Sequence, residues 1–386
     1  GFRTDWGDLQ DSFMLQGQLF ASDNGGQGDR DGGHLLGHWR RLLEDGSSVE
    51  VQTYYSQSGA ETVGVTDALE VWDIEAQHAF SLGSAHQIVW GGGYRYSESA
   101  FATFANPSRL VQEERGLRTL SAFIQDEIAL RQNLSLTLGL KAEDHTFTGL
   151  EYMPSVRVAW RPGGEHLVWA AVSRGARTPS RIDRELISPG VVEPGDFQSE
   201  YLLAYELGYR TRPTVNSTLS ANLYLHEYEG VRTANFTPPG VLPVQIGNGL
   251  HGDVYGLEIW GDMDINETWR VSAGATLQEQ DLQADPLTVD INGSGLDPEY
   301  QVFLRTRHDL TERLDFDLNV RAVGEASPQI PAYAALGARL AYQLNDRAEI
   351  ALIGENLLDE SHLESIDEGR LREARRGVHL SLRMTY

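Results

Sequence analysis

Arginine side chains that could bind an anionic group are concentrated in the middle of the chain, mostly in a stretch rich in Ser, Pro and Gly. Guanidinium groups bind carboxylates, catecholates and phosphates through paired hydrogen bonds. An aromatic hydroxyl beside them adds a further contact. The candidate ligand contacts are Arg174, Arg177, Arg181, Arg184, Tyr228 and Arg232. The alternative is that each arginine pairs with one of the many aspartates and glutamates of the chain itself.

Two other features resemble metal sites. His34 and His38 are four residues apart, a spacing that aligns ligands on a helix but on a strand only places both on one face. Residues 290–299 are rich in Asp, Asn and Gly but lack the twelve-residue calcium loop with its closing bidentate glutamate. Turn formation explains these residue types as well. We therefore predict no resident metal and no other cofactor, with calcium binding by residues 290–299 left open.

Enzymatic chemistry finds little support. The chain has no cysteine, which excludes thiolate nucleophiles and thiolate zinc sites. Its single lysine, Lys141, lies outside any phosphate-binding loop, and Gly91 to Gly93 are followed by a strand pattern instead of a helix N-terminus. No nucleophile-elbow motif fixes a serine as catalytic. The sequence therefore predicts a protein without catalytic residues.

Composition and charge exclude further classes of protein. The 386 residues carry 56 acidic and 31 basic side chains, a formal net charge of −25, which argues against nucleic acid as a partner. The longest apolar run, Leu167–Val172, is far shorter than the roughly 18 residues of a membrane helix. The first six residues have neither the basic start nor the apolar core of a signal peptide. None of this excludes a membrane β-barrel, whose strands are short and only half apolar.

The elements that would position the candidate residues are strands. Apolar and polar residues alternate along the chain, as in residues 134–140 (LSLTLGL), 314–322 (LDFDLNVRA) and 378–386 (VHLSLRMTY). Strict alternation is typical of a strand with one apolar and one polar face. The fold class is therefore predicted as all-β, a transmembrane antiparallel β-barrel.

Connections between these strands alternate between short and long, which is the asymmetry of outer-membrane barrels. Short turns are predicted at residues 7–11, 44–47, 82–85, 131–133, 161–165, 211–215, 266–268, 311–313 and 345–347. Long loops are predicted at residues 22–33, 97–115, 178–199, 233–252, 280–298 and 361–374. Most tryptophans fall near predicted strand ends, where amphipathic rings favour the lipid headgroups. Alternatively, Trp and Tyr are simply good strand formers.

About nineteen strands are predicted, and the first and last of them run in the same direction. Closing a barrel between them would need a parallel seam, whereas bacterial single-chain barrels have even strand numbers and antiparallel neighbours. An open edge in lipid would leave backbone groups without hydrogen bonds. Either the count is wrong by one, or residues 1–386 lack an odd number of preceding strands, and we expect the second.

Short motifs in the C-terminal two thirds resemble the TonB-dependent outer-membrane receptors. They occur in the order of that family, and the chain ends on an aromatic residue, Tyr386, as the family does. The matching segments are residues 121–128 (SAFIQDEI), 152–157 (YMPSVR), 173–180 (SRGARTPS), 205–210 (YELGYR), 255–258 (YGLE) and 354–359 (GENLLD).

The resemblance implies a 22-stranded barrel in the Gram-negative outer membrane, so nineteen strands here would leave three missing together with an N-terminal plug. Residues 1–386 would be the barrel domain. The implied function is energy-coupled uptake of a scarce ligand, most often an iron–siderophore complex, with cobalamin or a glycan as the next candidates. Implied partners are the siderophore-like ligand, outer-membrane lipid and lipopolysaccharide, and the TonB–ExbB–ExbD complex acting through the plug, whose carboxylates would also be partners for lumenal arginines.

Two alternatives belong to other classes. A passive porin-like channel would share the alternation and the aromatic residues near strand ends, but would show no high-affinity ligand binding. A soluble β-propeller acting as a binding module would need a repeat of about 40 to 50 residues, and none is visible.

Overall fold

The computed structural model describes residues 1–23, 28–62, 64–103, 107–236, 240–291, 293, 296–327, 330–367 and 370–385. These residues form strands almost throughout. The elements in chain order are β1 (Phe2–Gly7), β2 (Asp11–Asp23), β3 (Asp29–Leu42), β4 (Ser48–Thr62), β5 (Val65–Leu82), β6 (His86–Thr103), β7 (Arg109–Leu110), β8 (Glu114–Arg131), β9 (Leu134–His145), β10 (Gly149–Trp160), β11 (His166–Arg177), α1 (Arg181–Glu185), β12 (Leu186–Ile187), β13 (Val192–Glu193), β14 (Glu200–Thr211), β15 (Ser217–Phe236), β16 (Val244–Asn266), β17 (Trp269–Ala284), β18 (Thr288–Asp290), β19 (Tyr300–Thr311), β20 (Leu314–Val323), β21 (Tyr333–Asn345), β22 (Ala348–Glu355), β23 (Ser361–Asp367), β24 (Arg370–Arg375) and β25 (Gly377–Met384). No helix in this part of the chain is long and apolar enough to cross a membrane.

One sheet of 21 strands makes up the wall of the molecule. Two of its members, β13 and β18, are short additions, and the other nineteen each pair antiparallel with the next wall strand along the chain. Among the described residues β1 pairs with β2 alone and β25 with β22 alone, so these two strands are the edges of the sheet. The all-β antiparallel barrel architecture and the count of about nineteen strands are confirmed.

The two faces of the wall differ in polarity because side chains alternate along each strand. On β10, Val156 and Val158 point away from the interior and are 45% and 37% exposed in the isolated chain, whereas Ser155 and Arg157 point inward. The polar face is the inner, lumenal one, because the β23–β24 hairpin folds against it. The apolar outward residues of β25 are Val378, Leu380, Leu382 and Met384.

Short turns join the wall strands at one rim, and all nine predicted turns lie there. The turn after β3 shows why such a segment reverses the chain. The Ser47 hydroxyl and amide donate to Asp45 Oδ1 at 2.6 and 2.9 Å. These bonds stabilise the carboxylate and hold the pKa of Asp45 below its ordinary value.

Tryptophan is concentrated at the same rim. Trp72 lies in the middle of β5 and packs on Tyr55 with ring centroids 4.4 Å apart. The other tryptophans are within six residues of a short-turn end: Trp6, Trp39, Trp90, Trp160, Trp169, Trp260 and Trp269. Trp169 and Trp260 share the lumenal face with Arg157 and Glu258, respectively, whereas the other five have the placement of an aromatic girdle at a membrane interface.

At the opposite rim the prediction of long loops was wrong in most places. Strand β6 continues to Thr103, β15 to Phe236 and β17 to Ala284, while residues 361–374 form most of the β23–β24 hairpin. Strand β16 reaches 23 residues, about twice the length that spans a bilayer. Beyond the membrane both faces of a strand meet water, so the alternation fades and the sequence resembles a loop. Among the predicted long loops, as far as the structure describes them, residues 178–199 hold the smallest share of strand.

Candidate ligand-binding site

A single-turn helix, α1, organises the predicted arginine cluster. Ser180 caps it: its hydroxyl and amide lie 2.8 and 2.9 Å from Asp183 Oδ2, and the Asp183 amide donates back to the Ser180 hydroxyl at 3.3 Å. This reciprocal pair satisfies backbone donors that a helix start leaves free. It also fixes Asp183 at the centre of the cluster, where only 3% of the residue is exposed.

One side of α1 is bonded to strands β6 and β8. Arg181 pairs with Glu185 at 2.9 Å and donates to the Ser99 carbonyl and hydroxyl, both at 2.8 Å. Glu185 also pairs with Arg115, and Arg181 donates to the carbonyl of Gln112. Arg181 and Glu185 are almost fully buried. Because buried charges are costly unless paired, these bonds define one position for the helix.

The other side of α1 is bonded to the neighbouring strands. Asp183 lies 3.0 Å from Arg232 of β15 and 3.5 Å from Arg177 of β11. Glu200 of β14 accepts from the Arg177 guanidinium and from the Arg232 amide, the latter at 2.7 Å. The structure therefore brings Arg177, Arg181 and Arg232 together, but around carboxylates of the chain itself.

Arg184 completes this group. It donates to the carbonyl of Phe197 at 2.8 Å, pairs with Asp196 at 2.9 Å and lies over the ring of Phe147. Phe197 is fully buried, with the Arg177 guanidinium 5.5 Å from its ring centroid. Four of the five candidate arginines thus pair with acidic residues of the chain itself, which was the alternative stated for them.

Residues 178–199, which we call the strap, connect distant parts of the outer rim. Strand β12 pairs with β7 in the connection between β6 and β8, and β13 pairs parallel with the start of β16. Ser108 and Ser188 are joined by a hydrogen bond of 3.1 Å between their hydroxyls. The strap thus contacts strands from β6 to β16 at the outer rim.

Arg174 is not part of the cluster. Arg174 and Arg177 are three positions apart on β11, so the strand alternation points the two side chains to opposite faces. Arg174 donates to the carbonyl of Tyr152 at 2.5 Å and stacks on Tyr201, 4.0 Å from the ring centroid. Tyr201 in turn donates to Glu151 at 2.8 Å.

Tyr228 belongs to a separate depression in the lumenal wall, which we call the lumenal pocket. It lies on β14 to β17, has a volume of about 450 Å³ and is polar and aromatic. The lining residues are Glu206, Asn222, Tyr224, His226, Tyr228, Val231, Val254, Glu258, Gln278, Gln280, Leu282 and Asp297. Sequence analysis found only Tyr228, although the period-two sequence Tyr224-x-His226-x-Tyr228 already places three rings on one face.

A second depression, of about 880 Å³, lies under the β23–β24 hairpin. Two of its five lining arginines pair with acidic residues of other strands: Arg321 with Glu364 at 2.5 Å, and Arg339 with Asp317 and Glu349 at 3.1 and 2.5 Å. These contacts tie the hairpin to the lumenal face of β20 and connect β20 to β22.

The part of the chain that the structure describes contains no group of three or more His, Cys, Asp or Glu side chains placed to bind a metal ion. His34 and His38 share one face of β3, as a strand requires, and His38 lies 3.8 Å from Glu50. Within 290–299, residues 292, 294 and 295 lie outside the described residues, as does Tyr386.

Comparison with known proteins agrees with this geometry. No curated protein matches the chain in sequence. Among solved structures, the siderophore receptor PirA from Pseudomonas aeruginosa superimposes with a TM-score of 0.74 at 15% identity, covering 98% of this chain and 66% of that one. A mutant of the ferric enterobactin receptor PfeA of the same organism, in complex with enterobactin, superimposes with a TM-score of 0.78 at 14% identity, covering 99% of this chain and 69% of that one. The alcaligin receptor FauA from Bordetella pertussis superimposes with a TM-score of 0.65 at 14% identity, covering 100% of this chain and 67% of that one.

A family model described as "TonB dependent receptor-like, beta-barrel" matches residues 1–357. Family and fold are those of transport receptors. The chain spans about two thirds of the length of these solved receptors. It belongs to the TonB-dependent receptors, β-barrel proteins of the Gram-negative outer membrane.

Proposed function

We propose that this protein imports an iron–siderophore complex across the outer membrane. The observation that carries the proposal is the wall itself: in the part of the chain that the structure describes, nineteen consecutive antiparallel strands form one sheet with a polar inner face, and ion pairs hold the strap to strands on both sides of it. A polar lumen with recessed binding surfaces suits a ligand that is captured and then passed inward. The similar solved receptors are named for siderophores, one of them in complex with enterobactin.

Energy coupling forms part of the same proposal. Residues 1–386 are the barrel domain of a longer receptor, preceded by a plug and three further strands that pair between β1 and β25. Both edges present unpaired backbone groups among the described residues, and a barrel in lipid requires such groups to be bonded. The plug links the barrel to the TonB–ExbB–ExbD complex, while lipid and lipopolysaccharide surround the wall.

Uptake of radioactive iron tests this function. The full-length gene is expressed in a Gram-negative host that lacks its own siderophore receptors, and a panel of ferric hydroxamates, catecholates and carboxylates is supplied. We expect saturable uptake of at least one complex, abolished when TonB is deleted. Uptake that persists without TonB and does not saturate would identify a passive channel instead. If no ferric complex were taken up but cobalamin or an oligosaccharide were imported, the ligand would belong to one of those classes and not to the siderophores.

A further inference from the structure

The lumenal pocket has an aromatic floor. Tyr224, His226 and Tyr228 are alternate residues of β15 and therefore point into the lumen together. The centroids of Tyr224 and His226 are 4.8 Å apart, and those of His226 and Tyr228 are 6.5 Å apart with nearly perpendicular rings. The three rings form a continuous aromatic surface along the strand.

Glycines on the neighbouring strand let these rings lie close to the wall. Gly256 and Gly252 of β16 are directly opposite Tyr224 and Tyr228. A Cβ atom on Gly256 would come within 2.6 Å of the Tyr224 hydroxyl oxygen. The Tyr224 ring thus covers the backbone of β16, and its hydroxyl donates to Gln278 of β17 at 3.3 Å.

Charge distinguishes this pocket from the strap. Three carboxylates line it, those of Glu206, Glu258 and Asp297, and its lining includes neither lysine nor arginine. In the part of the chain that the structure describes, none of the three is within salt-bridge distance of a basic side chain, whereas the buried carboxylates Asp183 and Glu185 of the strap are paired with arginine. The lumenal pocket therefore carries uncompensated negative charge.

The same pocket has a hydrogen-bond acceptor without a donor. The Oδ1 atom of Asn222 is buried and has no hydrogen-bond partner among the described residues. Asn222 is directly opposite Glu258 across β15 and β16. A buried acceptor without a donor costs about 1 to 3 kcal/mol, so this position favours a ligand that brings N–H groups.

We propose that the lumenal pocket binds a protonated amine of the transported ligand. An ammonium group is attracted to the faces of aromatic rings and to carboxylates, and it donates to acceptors such as Asn222 Oδ1. An anionic group would be repelled by the three carboxylates. The inference rests on the proposed import function and selects, among iron chelates, those that carry a free amine.

The test uses propylammonium as probe and the full-length protein in octyl-polyoxyethylene micelles, a detergent without charge or sugar. Binding is measured by saturation-transfer NMR, with propionate and methyl glucoside as an anion and a neutral polyol of similar size. We expect propylammonium alone to bind. The double variant Glu206→Gln and Glu258→Gln should weaken its binding about tenfold, as should Tyr228→Ala.

Tyr255→Ala is the matched control, because Tyr255 lies on β16 beside the pocket but points to the outer face of the wall. It should leave propylammonium binding unchanged, and gel mobility before and after heating confirms that each variant is folded. Equal binding by the carboxamide variants and the wild type, or preferential binding of propionate or methyl glucoside, would overturn the inference. Uptake of ferric complexes without propylammonium binding would do so too, while leaving the proposed function intact.

Discussion

Asp183 and Arg232 are 3.0 Å apart, and this contact joins the strap to strand β15 across the intervening strand β14. Asp183 is 3% exposed, so its charge is removed from water and depends on the two guanidinium groups around it. On the far side of the same helix turn, Arg181 and Glu185 make equivalent contacts to β6 and β8. The strap is consequently held from both sides by charged groups that have little access to water.

Replacing Asp183 should loosen the strap without unfolding the wall. Asp183→Asn leaves Arg177 and Arg232 without their shared carboxylate, and breaking a buried pair costs about 3 kcal/mol. Hydrogen exchange of the amides in residues 181–187 should accelerate accordingly, while the amides of β9 should not change. The control is Asp196→Asn on the same strap, because Asp196 is 82% exposed where it meets Arg184 and its pair is worth little. Equal acceleration in both variants would contradict this account.

A crosslink can test whether the strap moves during transport. The chain contains no cysteine, so Ser108→Cys with Ser188→Cys introduces one pair of thiols, where the hydroxyls are now 3.1 Å apart. We expect the disulfide to form in air and iron uptake to stay within about twofold of wild type, because buried ion pairs already hold the strap. A gel shift under non-reducing conditions measures the crosslink, and Ser108→Cys alone is the control. Uptake that stops on oxidation and returns with a reductant would show that the strap must open.

Sequence patterns predicted the wall well and the site poorly, for a physical reason. Alternation along residues 314–322 and the turns such as Asn266–Thr268 are local properties, set by a strand that separates lipid from water. The pairing of Arg232 with Asp183, 49 positions earlier in the printed sequence, depends on how the strap folds back, which no local pattern encodes. The arginines were found because residue type is visible in sequence, but their partners were not. Glu258 was missed for the same reason, since it meets the pocket only once β15 and β16 are paired, whereas the local period-two pattern around Tyr228 already contained His226.

Adjacent residues of β10 should respond very differently to a new charge. Val156 points to the outer face and Ser155 to the lumen, where its neighbours Gly139 and Ser173 are small. Val156→Arg should destabilise the folded barrel by about 2 to 4 kcal/mol in lipid, because the charge faces hydrocarbon. Ser155→Arg should change stability by much less. Urea unfolding in liposomes, followed by tryptophan fluorescence, measures both, and similar losses would mean that the assignment of the two faces is wrong.

Packing should require glycine at position 256, as it does at many wall positions but not at Gly37. In Gly256→Ala the new Cβ would overlap the carbonyl oxygen of Leu277 and press on the Tyr224 hydroxyl. Overpacking of this kind costs about 1 to 3 kcal/mol, and displacement of the Tyr224 ring should also weaken propylammonium binding.

Gly37→Ala on β3 is the control, because its Cβ would meet nothing closer than Thr53 Cγ2 at 3.7 Å. There the loss of backbone freedom in the unfolded chain should raise stability by about 0.5 kcal/mol. Unfolding of both variants in urea decides the point, and a Gly256→Ala protein as stable as Gly37→Ala would show that the Tyr224 ring does not lie against β16.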